Sequence, residues 1–198
     1  MDWQAYYRAA HDRPPRPTLL RALDGFAAEG GQGPGLLAAD LGCGNGRDAL
    51  VLLRAGWRVW ALDAEAAALE ALQQRAAAEA LTELEAVQGR FENTTLPGCH
   101  LINASFVLFA CPPRLFTAAW SNLLAALLPG GRFAGQFLGP ADSWAAKRET
   151  TILDRSALER LLAGLAVENL EEEETDARTP LGEAKHWHIW HVNAHRPL

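Results

Sequence analysis

The chain has 198 residues, 49% of them hydrophobic, and a formal net charge of −6, which gives room for one domain with a substantial core and little for a second. An acidic balance without a dense Lys/Arg block excludes a nucleic-acid partner, because phosphate neutralisation needs a basic surface. No run approaches 18 uninterrupted apolar residues and the start, MDWQAYYRAAHDRPP, is too charged for a signal peptide, so no membrane partner and a cytoplasmic location are expected. Cys43, Cys99 and Cys111 are odd in number and form no CxxC, a pattern of reduced thiols with no disulfide framework and no metal site.

In chain order, residues 2–10 pattern as a short amphipathic helix, RPPRP at 13–17 as a stiff break, and 18–29 as a helix with Leu19, Leu20, Leu23 and Phe26 on one face. Residues 1–34 thus form a helical cap before a core from residue 35, within a single domain. The core opens with a strand at 36–41, a helix at 47–55, a strand at 57–63 and an Ala/Leu/Glu/Gln-rich helix at 65–80. Strands follow at 84–88 and 100–106, then a helix at 114–128 and, after the turn Pro129-Gly130-Gly131, a strand at 131–138. A helix at 156–164 precedes strands at 167–173 and 185–195. The polar stretch 171–180 reads as a solvated strand end and hairpin loop. Two final strands joined without a helix place an antiparallel strand at the edge of an otherwise parallel sheet.

The chemistry concentrates in DLGCGNG, residues 40–46, between the first strand and its helix, with Asp63 ending the next strand, WRVWALD. Gly42, Gly44 and Gly46 can adopt positive φ, so the loop can turn sharply and leave backbone N–H groups for a ligand. An acid at the end of the second strand can accept both hydroxyls of a ribose. A dinucleotide fingerprint would need a third glycine where Arg47 stands. Asp40, on the strand end, would repel a buried pyrophosphate and welcome a cation. An NAD-dependent reductase and a glycine turn with no ligand are the weaker alternatives.

These residues resemble the class I methyltransferases that use S-adenosylmethionine (SAM), a ligand with an ammonium and a sulfonium. The short N-terminal helix, GNGRDALVLLRAGWRV and the aromatic last strand are distantly similar to small bacterial enzymes near the tellurite-resistance group. The resemblance implies an α/β fold, a Rossmann-like seven-stranded mostly parallel sheet with helices on both faces and an antiparallel last strand. It also implies SAM as cofactor, S-adenosylhomocysteine (SAH) as product, and a pocket of Asp40, Gly42, Cys43, Gly44, Arg47, Asp63, Ala64, Arg90, Phe91 and Ser105. Many relatives carry an adenine-binding acid where Arg90 stands, and arginine cannot accept that bond; Phe91 could still hold the base. Arg13, Arg16 and Arg47 are candidates for the methionine carboxylate.

The acceptor is expected to be a small molecule, since the Pro-Pro of Ala110-Cys111-Pro112-Pro113 lacks the polar and aromatic flanks of a flipped-base site and only a small lid can be built. Candidates for its walls are Tyr6, Tyr7, Phe106 and Trp144, with Trp3 and Ser143 beside them; plain packing is the competing reading for each aromatic. On the last strand His186 and His188 face one side and His191 and His195 the other, so only two can converge. No residue declares itself as a general base. A binding module that transfers nothing is the competing function, and a monomer or homodimer is expected.

Overall fold

The computed structural model describes residues 13–31, 33–146 and 150–198. The predicted helix at 2–10, with Trp3, Tyr6 and Tyr7, lies outside them. Helix α1 (Pro17–Ala28) starts with proline in its first turn, where no N–H is needed. The alternating units are β1 (Leu37–Leu41), α2 (Ala49–Arg54), β2 (Arg58–Asp63), α3 (Ala66–Ala78), β3 (Leu84–Gln88), β4 (Cys99–Ala104), α4 (Pro113–Ala126) and β5 (Leu127–Leu138). They end in α5 (Arg155–Leu161), β6 (Ala166–Arg178) and β7 (Ala184–His195).

The seven strands lie in the order β3-β2-β1-β4-β5-β7-β6. Strands β1 to β5 are parallel, and β7 runs antiparallel to both β5 and β6, the sheet expected from the sequence. Alternate strand residues enter opposite layers, as the two-residue strand period requires. Ala38, Val59, Ala61, Leu101 and Ala134 pack under α1, α2 and α3. Ala39, Leu41, Trp60, Leu62, Ile102, Phe133 and Phe137 pack under α4 and α5. With helices on both faces, β1 and β2 are buried almost throughout, which is why they read as near-continuous apolar runs. Buried tryptophans satisfy their indole N–H groups: Trp120 donates to the Leu161 carbonyl at 3.0 Å and Trp190 to that of Leu153 at 2.9 Å.

Two expectations are corrected. Pro129-Gly130-Gly131 is not a turn before β5 but an irregularity inside it, where the pairing with β4 shifts between Cys99 and Leu101. The C-terminal tail keeps these glycines in the sheet: Gly130 N–H donates to the Arg196 carbonyl and Arg196 N–H to that of Gly131, both at 2.8 Å. The strand expected to end at Glu173 runs on to Arg178 in place of a loop, paired with β7 through Arg178↔Ala184. As an edge strand, β6 can carry charges on both faces because water reaches them.

Candidate active site

The carboxyl ends of β1, β2, β3 and β4 meet around one cleft. Its lining includes Asp40, Gly42, Cys43, Gly44, Arg47, Asp63, Ala64, Arg90, Phe91, Ser105 and Phe106, so the cofactor pocket named from the sequence borders one space, while Arg13, also a candidate for the methionine carboxylate, is exposed and outside the lining. Trp144 stands behind this lining, with ring centroids 5.3 Å from Phe109 and 5.5 Å from Trp187. Arg16 lines the cleft with its guanidinium 4.2 Å over the Phe106 ring. Arg47 lines it too and donates to the Pro14 carbonyl at 2.6 Å.

The glycine loop is built differently from the expectation that its N–H groups await a ligand. Gly42 N–H and Cys43 N–H both donate to the Leu62 carbonyl, at 2.7 and 3.1 Å, and Gly44 N–H donates to Asp63 Oδ2 at 2.8 Å. Strand β2 has consumed these donors. The turn itself needs glycine: Gly42 has φ of 64°, and a Cβ there would meet Val107 Cγ2 at 2.7 Å.

Carboxylates face the cleft instead. Asp40 is buried, and its Oδ1 accepts from Asn103 Nδ2 at 2.8 Å while Oδ2 is buried with no partner. Burial, with the negative charge of Asp48 beside it, holds the Asp40 carboxyl well above the ordinary carboxylate range, against the opposing bond from Asn103. Asp48, missed in the sequence, accepts from Ser105 Oγ at 2.8 Å, from Asn103 Nδ2 at 3.1 Å and from Arg16 N–H at 3.1 Å. It stands just before α2, at a helix start that the sequence shows only as polar. Asp63 Oδ1 accepts from Glu65 N–H at 2.9 Å.

Glu92 is a second residue that sequence reasoning missed. It lines the cleft, its side chain is 3% exposed, one oxygen pairs with Arg90 Nε at 2.5 Å, and Oε2 is buried without a partner. Arg90 also donates to the Ala110 carbonyl at 3.2 Å. The lining holds five carboxylates (Asp40, Asp48, Asp63, Glu65, Glu92) against three arginines (Arg16, Arg47, Arg90), a balance that suits a cation and opposes a polyphosphate. The adjacent thiol of Cys43 is pushed well up by burial and by Asp40 and Asp63, so it is no nucleophile.

Residues 38–131 match the family model described as a methyltransferase domain. The match spans just under half of the chain. No curated protein matches the sequence. Among solved structures, TehB from Haemophilus influenzae is similar over 98% of this chain and 67% of its own, with 14% identity and a TM-score of 0.77. Magnesium protoporphyrin IX methyltransferase from Synechocystis PCC 6803, with SAH bound, is similar over 98% of this chain and 94% of its own (16% identity, TM-score 0.72). The 1,6-didemethyltoxoflavin-N1-methyltransferase of Burkholderia thailandensis, with its substrate and SAH bound, is similar over 100% and 86% (19% identity, TM-score 0.67). The chain therefore has the Rossmann-like fold expected from the sequence, shared with methyltransferases whose cofactor is SAM. The residues present fit it: two buried carboxylate oxygens, Asp40 Oδ2 and Glu92 Oε2, lack donors, and the cofactor carries an ammonium and an adenine amino group.

Helix and histidine assignments bear on what else the core holds. No described helix is long and apolar enough to cross a membrane, and no group of three or more His, Cys, Asp or Glu among the described residues could hold a metal. The β7 histidines have acids beside them. Glu174 and Asp176 flank His186, Glu172 meets His188, Glu173 meets His191 and Glu168 meets His195. Strand β6, expected only over 167–173, runs on to Arg178 and carries those acids alongside.

Proposed function

We propose that this protein transfers the methyl group of SAM to a small-molecule acceptor by in-line displacement. The observation that carries this reading is the unpartnered, buried Asp40 Oδ2 in a cleft whose loop N–H groups are already spent. A pyrophosphate would need those donors, whereas an ammonium needs the carboxylate. SAM supplies the electrophilic methyl; the chain's task is alignment and exclusion of water. In this reading Asp40 and Asp48 hold the ammonium, Asp63 with Glu65 takes the ribose, and Arg16 and Arg47 face the methionine carboxylate. Gly42, Cys43, Gly44 and Ala64 shape the loop around it, and Ser105 closes the floor under the sulfur. Phe91 packs on the adenine, and Glu92 accepts from its amino group in place of the acid that Arg90 displaces. We read the chain as one domain acting in the cytoplasm.

Calorimetry with SAH, S-inosylhomocysteine and NADH tests the donor site, with a labelled-methyl assay alongside to separate an enzyme from a silent binding module. SAH is expected to bind, NADH not, and the inosyl analogue, whose ring oxygen replaces the amino group, to bind at least tenfold more weakly. Glu92→Gln, whose amide can donate to that oxygen, should narrow or reverse the preference. NADH binding without SAH binding would overturn the assignment.

A further inference from the structure

The run RPPRP at 13–17, a stiff break in the sequence, comes to lie against the cleft. Across residues 14–17 the only backbone N–H is that of Arg16, because the other three are prolines. That N–H donates to Oδ1 of the buried Asp48 at 3.1 Å. The Pro14 carbonyl accepts from Arg47 Nε at 2.6 Å, and the Arg16 guanidinium rests 4.2 Å over the ring of Phe106. Arg16, Arg47, Asp48 and Phe106 all line the cleft, so the segment runs along one end of it, from Arg47 past Asp48 to Phe106. Stiffened by proline and with its single backbone donor spent, it docks there at little cost in chain freedom.

The two ends of this segment are held unequally. Past Arg16 the chain enters α1, where Thr18 is locked: its Oγ1 accepts from Gln136 Nε2 at 2.8 Å and its carbonyl from Asn193 Nδ2 at 2.7 Å, with all three residues buried. Before α1 the chain is exposed at Pro14 and half-buried at Pro15 and Arg16, where water can take over its contacts. The seat beneath Arg16 is fixed as firmly as the anchor. Phe106 has φ of 54°, and such strain in a bulky residue persists only where surrounding structure over-determines it. Its N–H donates to Gln136 Oε1 at 3.1 Å, so one buried amide ties both the ring and the start of α1. The part able to lift is residues 14–16, hinged at Pro17.

We propose, resting on the methyl-transfer reading above, that residues 14–16 are a strap that closes over the methionine end of bound SAM or SAH and lifts whenever one is exchanged for the other. In that reading Arg16 and Arg47 face the ligand carboxylate. Arg47 is tied to Pro14 and Arg16 belongs to the strap, so the bound charge holds strap and glycine loop together. The coupling is reciprocal: ligand favours the closed strap, and the closed strap slows the ligand's release.

Arg16 supplies the reporter, since its amide is the one N–H of the strap. In the full chain, saturating SAH is expected to slow exchange of that amide, followed by NMR, by about tenfold or more. SAH association and dissociation rates are then compared between wild type and two variants. Pro14→Gly with Pro15→Gly loosens the strap and alters no side chain that lines the cleft; Phe106→Asn removes the seat with a residue that tolerates the left-handed backbone. Both variants should release SAH faster by about tenfold or more, and also bind it faster by a smaller factor. A lost contact alone would quicken release and leave association unchanged. Unchanged association, unchanged release or an Arg16 amide indifferent to SAH overturns the strap and leaves the donor site standing. A wild type that binds no SAH would bring down the donor reading, and the strap with it.

Discussion

Asp40 carries the charge logic of the cleft. A carboxyl whose pKa is raised in the folded state holds its proton more tightly there than in the unfolded chain. Folding therefore loses stability as pH rises from the ordinary carboxylate range through the raised value, and a bound ammonium offsets that loss. Asp40→Asn removes the buried charge while an amide oxygen can still accept from Asn103. The free variant is expected to melt at or above the wild-type temperature at pH 8, yet to lose about tenfold or more in SAH affinity by calorimetry, the scale of a charge-assisted hydrogen bond. A lower melting point with unchanged affinity would show that Asp40 is structural only. Asp63 differs, because it is already bonded to Gly44 N–H and Glu65 N–H. Asp63→Ala should weaken SAH by about 1–3 kcal/mol and also cost about 1–2 kcal/mol of stability, read by calorimetry and urea unfolding. The sequence alone predicts the first loss and not the second, since the loop's dependence on this carboxylate appears only in three dimensions.

At the scale of elements, the hairpin of β6 and β7 is held across its width by histidine–carboxylate pairs. Asp176 and Glu174, bonded to the two ring nitrogens at 2.8 and 3.1 Å, raise the His186 pKa above its ordinary 6.5. A raised histidine pKa adds stability below the unfolded value, and that contribution is lost as pH rises through the folded value. Asp176→Asn with Glu174→Gln should return the His186 titration, followed by NMR, to near 6.5, and the amides of this exposed edge should exchange faster in wild type at pH 8 than the pH dependence of intrinsic exchange explains. Legibility from sequence divides along the same line. The β1-α2-β2 unit could be read because both layers bury it, so period and apolar runs coincide at Ala38, Ala39, Val59 and Trp60. The β6 edge could be read only in part: a strand is legible to Glu173, but Glu174 to Arg178 look like loop, because their partners in β7 lie across a hairpin. Pro129-Gly130-Gly131 has turn chemistry, and only the distant pairing of Arg196 keeps it in the sheet. In the cleft, the glycines and Asp63 announced themselves by spacing, whereas Asp48 and Glu92 matter through burial and unspent hydrogen-bonding capacity, which no spacing encodes.

For the whole molecule, ligand and fold are coupled through the sheet. The cleft is assembled from the ends of β1, β2, β3 and β4, and the buried Asp40, Asn103 and Asp48 join β1, β4 and the start of α2. Their polar groups lie between the apolar layers that the two helical faces cover, so unfolding dismantles the site completely. A ligand that binds only the folded chain stabilises it by mass action, about 2.7 kcal/mol at 100 times its Kd. For a chain of this length 1 kcal/mol corresponds to roughly 2–4 °C, so saturating SAH should raise the melting temperature by about 5–10 °C in a thermal scan. The rise should be greater at pH 8 than at pH 5, because the ammonium pairs with ionised Asp40, and it should shrink in Asp40→Asn at both. NADH should leave the melting temperature unmoved. A rise with SAH that is identical at the two pH values would mean that Asp40 does not change its charge on binding, and the electrostatic account of the cleft would fail even though the cofactor binds.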